Sequence, residues 1–279
     1  MRRPVKLQTL PVADRFAKEQ LLREFHRTLY QTWGCQHWWP AARPFEVIVG
    51  AYLTQNTAWT HVERALHQLR AARVLSLDGI RRVPLPRLES LIRSAGYFRQ
   101  KAQRLKIFVA FVDQRYRGSL TRMFAQPTEK LRQELLSLHG VGHETADSIL
   151  LYAGQHRVFV VDAYTRRILG RHGISPDNAP YEELRQLCER ALSHADSQRL
   201  SLAGNELRGA AGTRHPPSRM SLAKRAPLAQ VYNDMHGLIV GVGKNFCFPS
   251  KPRCEQCPLR PFLPDSRLPY PEVPELPVE

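Results

Sequence analysis

The chain has 279 residues, enough for two domains with sizeable cores, and its 43% apolar and 24% charged content excludes a disordered or membrane-embedded polypeptide. Lys and Arg number 41 against 25 acidic residues, a net charge of +16 that suits a polyanionic partner, nucleic acid above all. No apolar run is long enough to span a bilayer, no apolar core follows the basic start Met1-Arg2-Arg3, and three of the five cysteines crowd the C-terminal part as metal or cluster ligands do. The expectation is an intracellular protein without a disulfide framework.

Taken in order, most segments carry a helical period. Between Phe45 and Arg70 the apolar residues Val47, Ile48, Tyr52, Val62, Leu66 and Leu69 fall on one face. The stretches Leu85 to Ile92, Gln100 to Val112, Thr128 to Leu138 and Glu144 to Tyr152 behave alike, with Glu129 in the first turn of the third. Arg157 to Val161 is the one strand-like run and is too short to anchor a sheet. From Ala195 to Lys224 the chain turns rich in Ser, Gly, Ala and Arg and loses its period, which reads as a flexible basic insertion. Beyond Pro258 the prolines recur so often that 261–279 should form an irregular tail. The fold class predicted is all-α.

The densest signal is Leu138-His139-Gly140-Val141-Gly142-His143-Glu144-Thr145-Ala146. A Gly-Val-Gly turn opening an apolar-periodic helix lets the main chain approach a phosphate and offers it N–H groups and the positive helix end. After the β-branched run Val158–Val161 comes Asp162, which is placed either to cap the helix starting at Ala163 or to act as an isolated acid, or both. All four tryptophans (Trp33, Trp38, Trp39 and Trp59) lie around the first core helix, as a domain junction or as an aromatic pocket. Cys247, Cys254 and Cys257 form the C-terminal cluster, just after Lys244.

These motifs resemble the helix-hairpin-helix glycosylases, the endonuclease III group in particular, over about Phe45 to Leu259. The resemblance implies a two-domain helical enzyme of base excision repair with double-stranded DNA in a cleft. A six-helix domain would span 43–161, and 1–42 with 162–260 would build the second. Gly140, Val141 and Gly142 would hold a phosphate, which positions the duplex without reading its sequence. Asp162 matches the family's catalytic carboxylate, which stabilises the oxocarbenium-like sugar or orients a water. In Leu53-Thr54-Gln55-Asn56-Thr57, Gln55 matches the residue that fills the gap left by the extruded base.

Two departures carry information. Glu144 stands where bifunctional relatives have a lysine that forms a Schiff base with the sugar. A carboxylate forms no imine, so the resemblance points to the monofunctional branch that removes alkylated purines such as 3-methyladenine. Trp39 and Trp59 would then hold a cationic base, a contact worth roughly 0.5–2 kcal/mol. The cysteines supply three ligands of the family's [4Fe-4S] spacing, but the fourth place is Leu263. Cys188, Asp265 and Cys35 are the stand-ins to consider, and Lys251 and Arg253 in the same loop could contact phosphate without any metal. The alternatives are an endonuclease III-type glycosylase/lyase for oxidised pyrimidines and a non-catalytic DNA-binding protein. A monomer is expected.

Overall fold

The computed structural model describes residues 12–176, 178–193 and 217–264. Helices α1 (Val12–Trp33), α2 (Pro44–Leu53), α3 (Trp59–Ala71), α4 (Leu77–Arg82), α5 (Leu85–Leu91), α6 (Phe98–Tyr116), α7 (Leu120–Phe124), α8 (Thr128–Leu136) and α9 (His143–Ser148) follow one another. A π-helical turn, Ile149–Ala153, continues α9, and α10 (Ala163–Arg171), α11 (Tyr181–Leu192) and α12 (Pro227–Asn245) complete the order. Among the described residues there is no strand, and no helix is long and apolar enough to cross a membrane.

Helix α2 is the centre of one group of helices. Every residue from Phe45 to Leu53 is buried, as expected for a helix apolar all round, and it packs on α3, α6, α9 and the π turn. Helices α4, α5 and α7 pack on α6. A second group forms from α1, α10, α11 and α12, with α12 also touching the π turn.

The single helical period from Phe45 to Arg70 is split in two. Thr54 Oγ1 donates to the Gly50 carbonyl at 2.7 Å, Asn56 takes a left-handed φ of 51°, and Thr57 Oγ1 donates to the Ala95 carbonyl at 2.6 Å. These bonds end α2 and turn the chain out before α3 restarts in the same apolar phase, so the sequence pattern conceals the break. Arg157 to Val161 is extended but unpaired; Phe159 N–H donates instead to Glu189 and Val161 N–H to the Tyr181 hydroxyl. Residues 195–216 of the basic insertion, Asp265 and the tail from 265 lie outside the described residues. The rest of the insertion is anchored rather than loose. Ser218 accepts from Ala41 N–H and donates to the Trp39 carbonyl, both at 3.1 Å, and Met220 is buried.

Two buried cations fix the geometry of the loops. Lys101, 1% exposed, donates to the Leu53 carbonyl, Thr57 Oγ1 and the Ala95 carbonyl at 2.7–2.8 Å, saturating its three N–H bonds. Arg132 of α8 grips Asp147 of α9 with two bonds, Nε–Oδ1 at 2.7 Å and Nη2–Oδ2 at 3.0 Å, where both side chains are almost fully buried. Removing Asp147 strips the buried guanidinium of two bonds and leaves it one carboxylate partner, the more exposed Glu182 at 3.0 Å. Asp147→Ala should therefore destabilise the fold by about 3–5 kcal/mol in urea unfolding, whereas exposed-pair variants such as Asp78→Ala should cost under about 1 kcal/mol.

Candidate active site

Asp162 is the N-cap of α10. Its Oδ1 accepts from Thr165 N–H at 2.7 Å and from Thr165 Oγ1 at 2.9 Å. The fully buried run Val158–Val161 delivers it, and its other oxygen, Oδ2, lies 3.6 Å from His236 Nε2 on α12. One carboxylate oxygen is thus committed to the helix, and the acid lines an open cleft of about 810 Å³.

That cleft gathers six of the thirteen site residues singled out in the sequence, together with Lys244. Trp39, Gln55, Trp59, Gly142, Glu144, Asp162 and Lys244 all line it, joined by Trp38, Arg104, Tyr164 and His236. Trp39 is 6% exposed, with its ring 5.1 Å and nearly perpendicular from Trp59 and 5.2 Å from Tyr152. It lies close against α2 because position 50 is glycine: a Cβ there would stand 3.2 Å from the indole. Trp59 donates to Glu63 at 2.7 Å, which fixes its ring at the cleft edge.

Glu144, in the first turn of α9, is exposed to the open cleft, whose wall strips part of its hydration. That environment, then the charge of Asp162, raises its pKa to about 7, with Arg166 opposing. Lys244 is likewise wet at its tip, and desolvation lowers its pKa while Glu63 and Asp162 pull the other way. Two carboxylates and one amine therefore share the cleft wall.

The hairpin stands beside it. Gly140 has a φ of 80°, and a Cβ there would lie 2.0 Å from Arg104 Nε, so both conformation and space require glycine. Val141 is buried, and the first N–H groups of α9 carry the unpaired donors that every helix start has. Gln55 does not stand free. Its Nε2 donates to the Gly140 carbonyl at 3.0 Å and to Thr145 Oγ1 at 2.9 Å, and its Oε1 accepts from Arg104 at 2.6 Å. Three residues went unremarked in the sequence. Arg104 links Gln55 to the hairpin, Tyr97 is an aromatic 68% exposed with a left-handed φ beside the Ala95 loop, and His236 backs Asp162. Tyr97 had a readable signal, a residue after glycine ahead of a helix; the other two are brought in from afar by packing.

The cysteine loop lies apart from the cleft. Cys247, Cys254, Cys257 and Leu263 line a cavity of about 20 Å³ with Arg171 and His172. Arg171 donates to Cys247 Sγ at 3.2 Å and to the carbonyls of Phe248 and Pro249, and Arg167 donates to the Cys247 carbonyl at 2.7 Å. Cys188 is buried in α11 and Cys35 donates to Asp234, so neither lines this cavity, and Asp265 is outside the described residues. Among the described residues no three His, Cys, Asp or Glu side chains stand together as metal ligands. The donors present do not fit a four-thiolate cubane, and no step of the reaction is derived from one. Lys251 and Arg253 sit on this loop, with the Arg253 guanidinium 5.4 Å over the Phe248 ring, and not in the cleft.

Among the described residues, a glycine hairpin on an all-helical scaffold stands beside a carboxylate-lined, aromatic cleft. Residues 49–194 match the family model described as "HhH-GPD superfamily base excision DNA repair protein", and the chain belongs to that superfamily. A Methanocaldococcus jannaschii protein provisionally named a DNA repair glycosylase is 37% identical over 88% of this chain and 96% of its own. Endonuclease III of Thermotoga maritima is 24% identical over 78% of this chain and 81% of its own. Among solved structures, an H. pylori 3-methyladenine DNA glycosylase bound to 1,N6-ethenoadenine superposes with a TM-score of 0.64. It is 29% identical, over 81% of this chain and 97% of that one. A trapped endonuclease III–DNA intermediate shares the fold, with a TM-score of 0.64 at 19% identity over 93% of this chain and 98% of that one. The protein is a DNA glycosylase of base excision repair.

Two outcomes are expected from this geometry. A carboxyl group whose pKa is raised by folding costs nothing while protonated in both states, and costs most once both states have ionised. The penalty of Glu144 therefore grows from its ordinary value near 4.5 up to about 7 and persists above. Glu144→Gln should match the parent's thermal midpoint at about pH 4 and exceed it at about pH 8 in melting curves. Gly140→Ala should cost about 1–2 kcal/mol from its left-handed φ alone, and the clash with Arg104 should weaken duplex binding in a fluorescence titration.

Proposed function

We propose that this protein is a monofunctional glycosylase for alkylated purines, acting on double-stranded DNA as a monomer and leaving the abasic strand uncut. The observation that supports it most is the convergence in one cleft of Asp162, Glu144 at the position of the lyase lysine, and the Trp39–Trp59 pair. The two helix groups are read as the two domains, 43–161 and 1–42 with 162–260, with the duplex lying across the mouth between them.

Binding begins at the backbone. The N–H groups of Gly140 and Gly142 take a phosphate, that of Val141 being held by the Leu138 carbonyl, and Lys251 and Arg253 add non-specific charge from the cysteine loop. Gln55, released from its bonds to Gly140 and Thr145 by the incoming strand, enters the stack with Tyr97 as an aromatic neighbour. The damaged nucleotide rotates into the cleft, where an N-alkylated purine, cationic and with a weakened glycosidic bond, lies against indole. As the bond breaks, positive charge builds on the sugar. The free oxygen of Asp162 faces it, stabilising the cation and taking a proton from the attacking water. Glu144 cannot form an imine, so chemistry ends at the abasic site. The H. pylori 3-methyladenine glycosylase favours this reading by name, the M. jannaschii relative is named only as a DNA repair glycosylase, and the endonuclease III relatives favour the alternative, a glycosylase/lyase for oxidised pyrimidines. For that alternative Lys244 is the amine the cleft offers.

Excision from duplexes bearing one alkylated purine or one oxidised pyrimidine, resolved with and without alkali, decides between them. Strand breaks only after alkali, from the alkylated duplex, are expected. Breaks without alkali that vanish in Lys244→Met would establish the lyase reading. Asp162→Asn should lower single-turnover excision by roughly 10²–10⁴-fold with duplex affinity retained; unchanged excision would rule out the proposed role of Asp162, and a wild type inactive on every lesion would leave a DNA-binding protein.

A further inference from the structure

His236 has no part in the reaction so far described, yet its placement is unusually constrained. It lies in the middle of α12, 4% exposed, among aromatic rings: Tyr152 at 5.8 Å, Trp38 at 6.2 Å and Phe159 at 6.3 Å between centroids. Its Nδ1 is 2.7 Å from the Tyr152 hydroxyl. Its Nε2 is buried, has no hydrogen-bond partner within reach, and lies 3.6 Å from Asp162 Oδ2. A buried ring nitrogen left without a partner is costly unless something completes it. The group nearest to completing it is the carboxylate to which the proposed hydrolysis falls.

We propose that Tyr152 and His236 form a buried relay that aims Asp162, with His236 as its positioning residue. This rests on the reading of Asp162 as the acting carboxylate. The proton arrangement follows from the contacts. The Tyr152 hydroxyl keeps its proton, because burial and then the charge of Asp162 push its ionisation far up, so it acts as an O–H donor. His236 stays neutral at ordinary pH, because burial lowers its pKa more than Asp162 raises it. A neutral imidazole accepting the Tyr152 proton at Nδ1 carries its own hydrogen at Nε2. That N–H faces Oδ2, whereas the opposite tautomer would set a lone pair against a carboxylate and leave the tyrosine proton unplaced.

The consequence is a carboxylate held from two sides. Thr165 occupies Oδ1, and His236 approaches one side of Oδ2, leaving the remaining lone pair of Oδ2 for the cleft. At 3.6 Å the Nε2–Oδ2 contact is not a hydrogen bond in the empty cleft. It tightens when the extruded nucleotide displaces solvent, as catalytic contacts do on substrate binding. In this relay His236 acts through Asp162 rather than on the sugar or the base.

The test is single-turnover excision by the full chain on a duplex with one 7-methylguanine, alongside affinity for a duplex with a stable abasic-site analogue. His236→Leu should slow excision roughly 10- to 100-fold, the usual loss on removing an orienting partner, and leave affinity within about twofold. His236→Gln, which restores an N–H donor, should recover much of that loss. Tyr152→Phe guards against a leucine variant that fails to fold: it should also slow excision, and ¹⁵N-edited NMR should show His236 shift from its single Nε2–H tautomer to a mixture. Equal rates in all three, or a His236 protonated at Nδ1 in the parent, overturns the relay. If Asp162→Asn retains excision, the underlying reading fails instead; if Asp162→Asn is inactive while the His236 and Tyr152 variants match the parent, the relay alone fails.

Discussion

The cleft hangs on the buried ion pair between Arg132 and Asp147. Two parallel bonds in a nearly dry environment hold α8 and α9 at one mutual setting, and an Arg–carboxylate fork tolerates little rotation. That setting points the glycine turn outward and the first turn of α9, with Glu144, toward the cleft. Arg132 also reaches Glu182 at 3.0 Å, so the same guanidinium ties the hairpin to α11 of the second helix group. A buried pair of this kind adds little net stability compared with apolar packing; what it supplies is a unique geometry.

Around that pair the site is built from groups each given two tasks. Asp162 caps α10 with one oxygen and keeps the other for the cleft. Gln55 braces the hairpin through Gly140 and Thr145 while lining the cleft. Lys101 is spent wholly on structure: its ammonium is saturated by the two loops it joins, and burial followed by the charge of Arg104 lowers its pKa to about 8. The cationic excess of the chain therefore divides into internal ties and surface charge, and only the latter can neutralise phosphate.

The cleft wall carries two carboxylates, Glu144 and Asp162, and one lysine, Lys244. Partial desolvation, then the charge of Asp162, raises the Glu144 pKa to about 7, with Arg166 opposing. The cysteine loop has been held in place by arginines: Arg167 and Arg171 of α10 take its carbonyls and the Cys247 sulfur, and Leu263 closes the cavity where a fourth thiol would sit.

The sequence alone determined what depends on local chemistry. The helical periods, the glycine hairpin, the carboxylate after Val158–Val161 and the missing fourth cysteine are all short-range patterns, each fixed by backbone geometry or by residue type. Tertiary structure alone decided the rest. The helix read from Phe45 to Arg70 is broken because Thr57 finds Ala95, a partner 38 residues away. Trp39 and Trp59 form a right-angled pair in the cleft wall, which adjacency in sequence left open between a core junction and a pocket. His236, 74 residues beyond Asp162, comes behind it through the packing of α12 on α10 and the π turn. Periodicity reports which face of a helix is buried, but a single polar atom meeting another across two helices leaves no repeating trace in the chain, and that meeting is what makes the site.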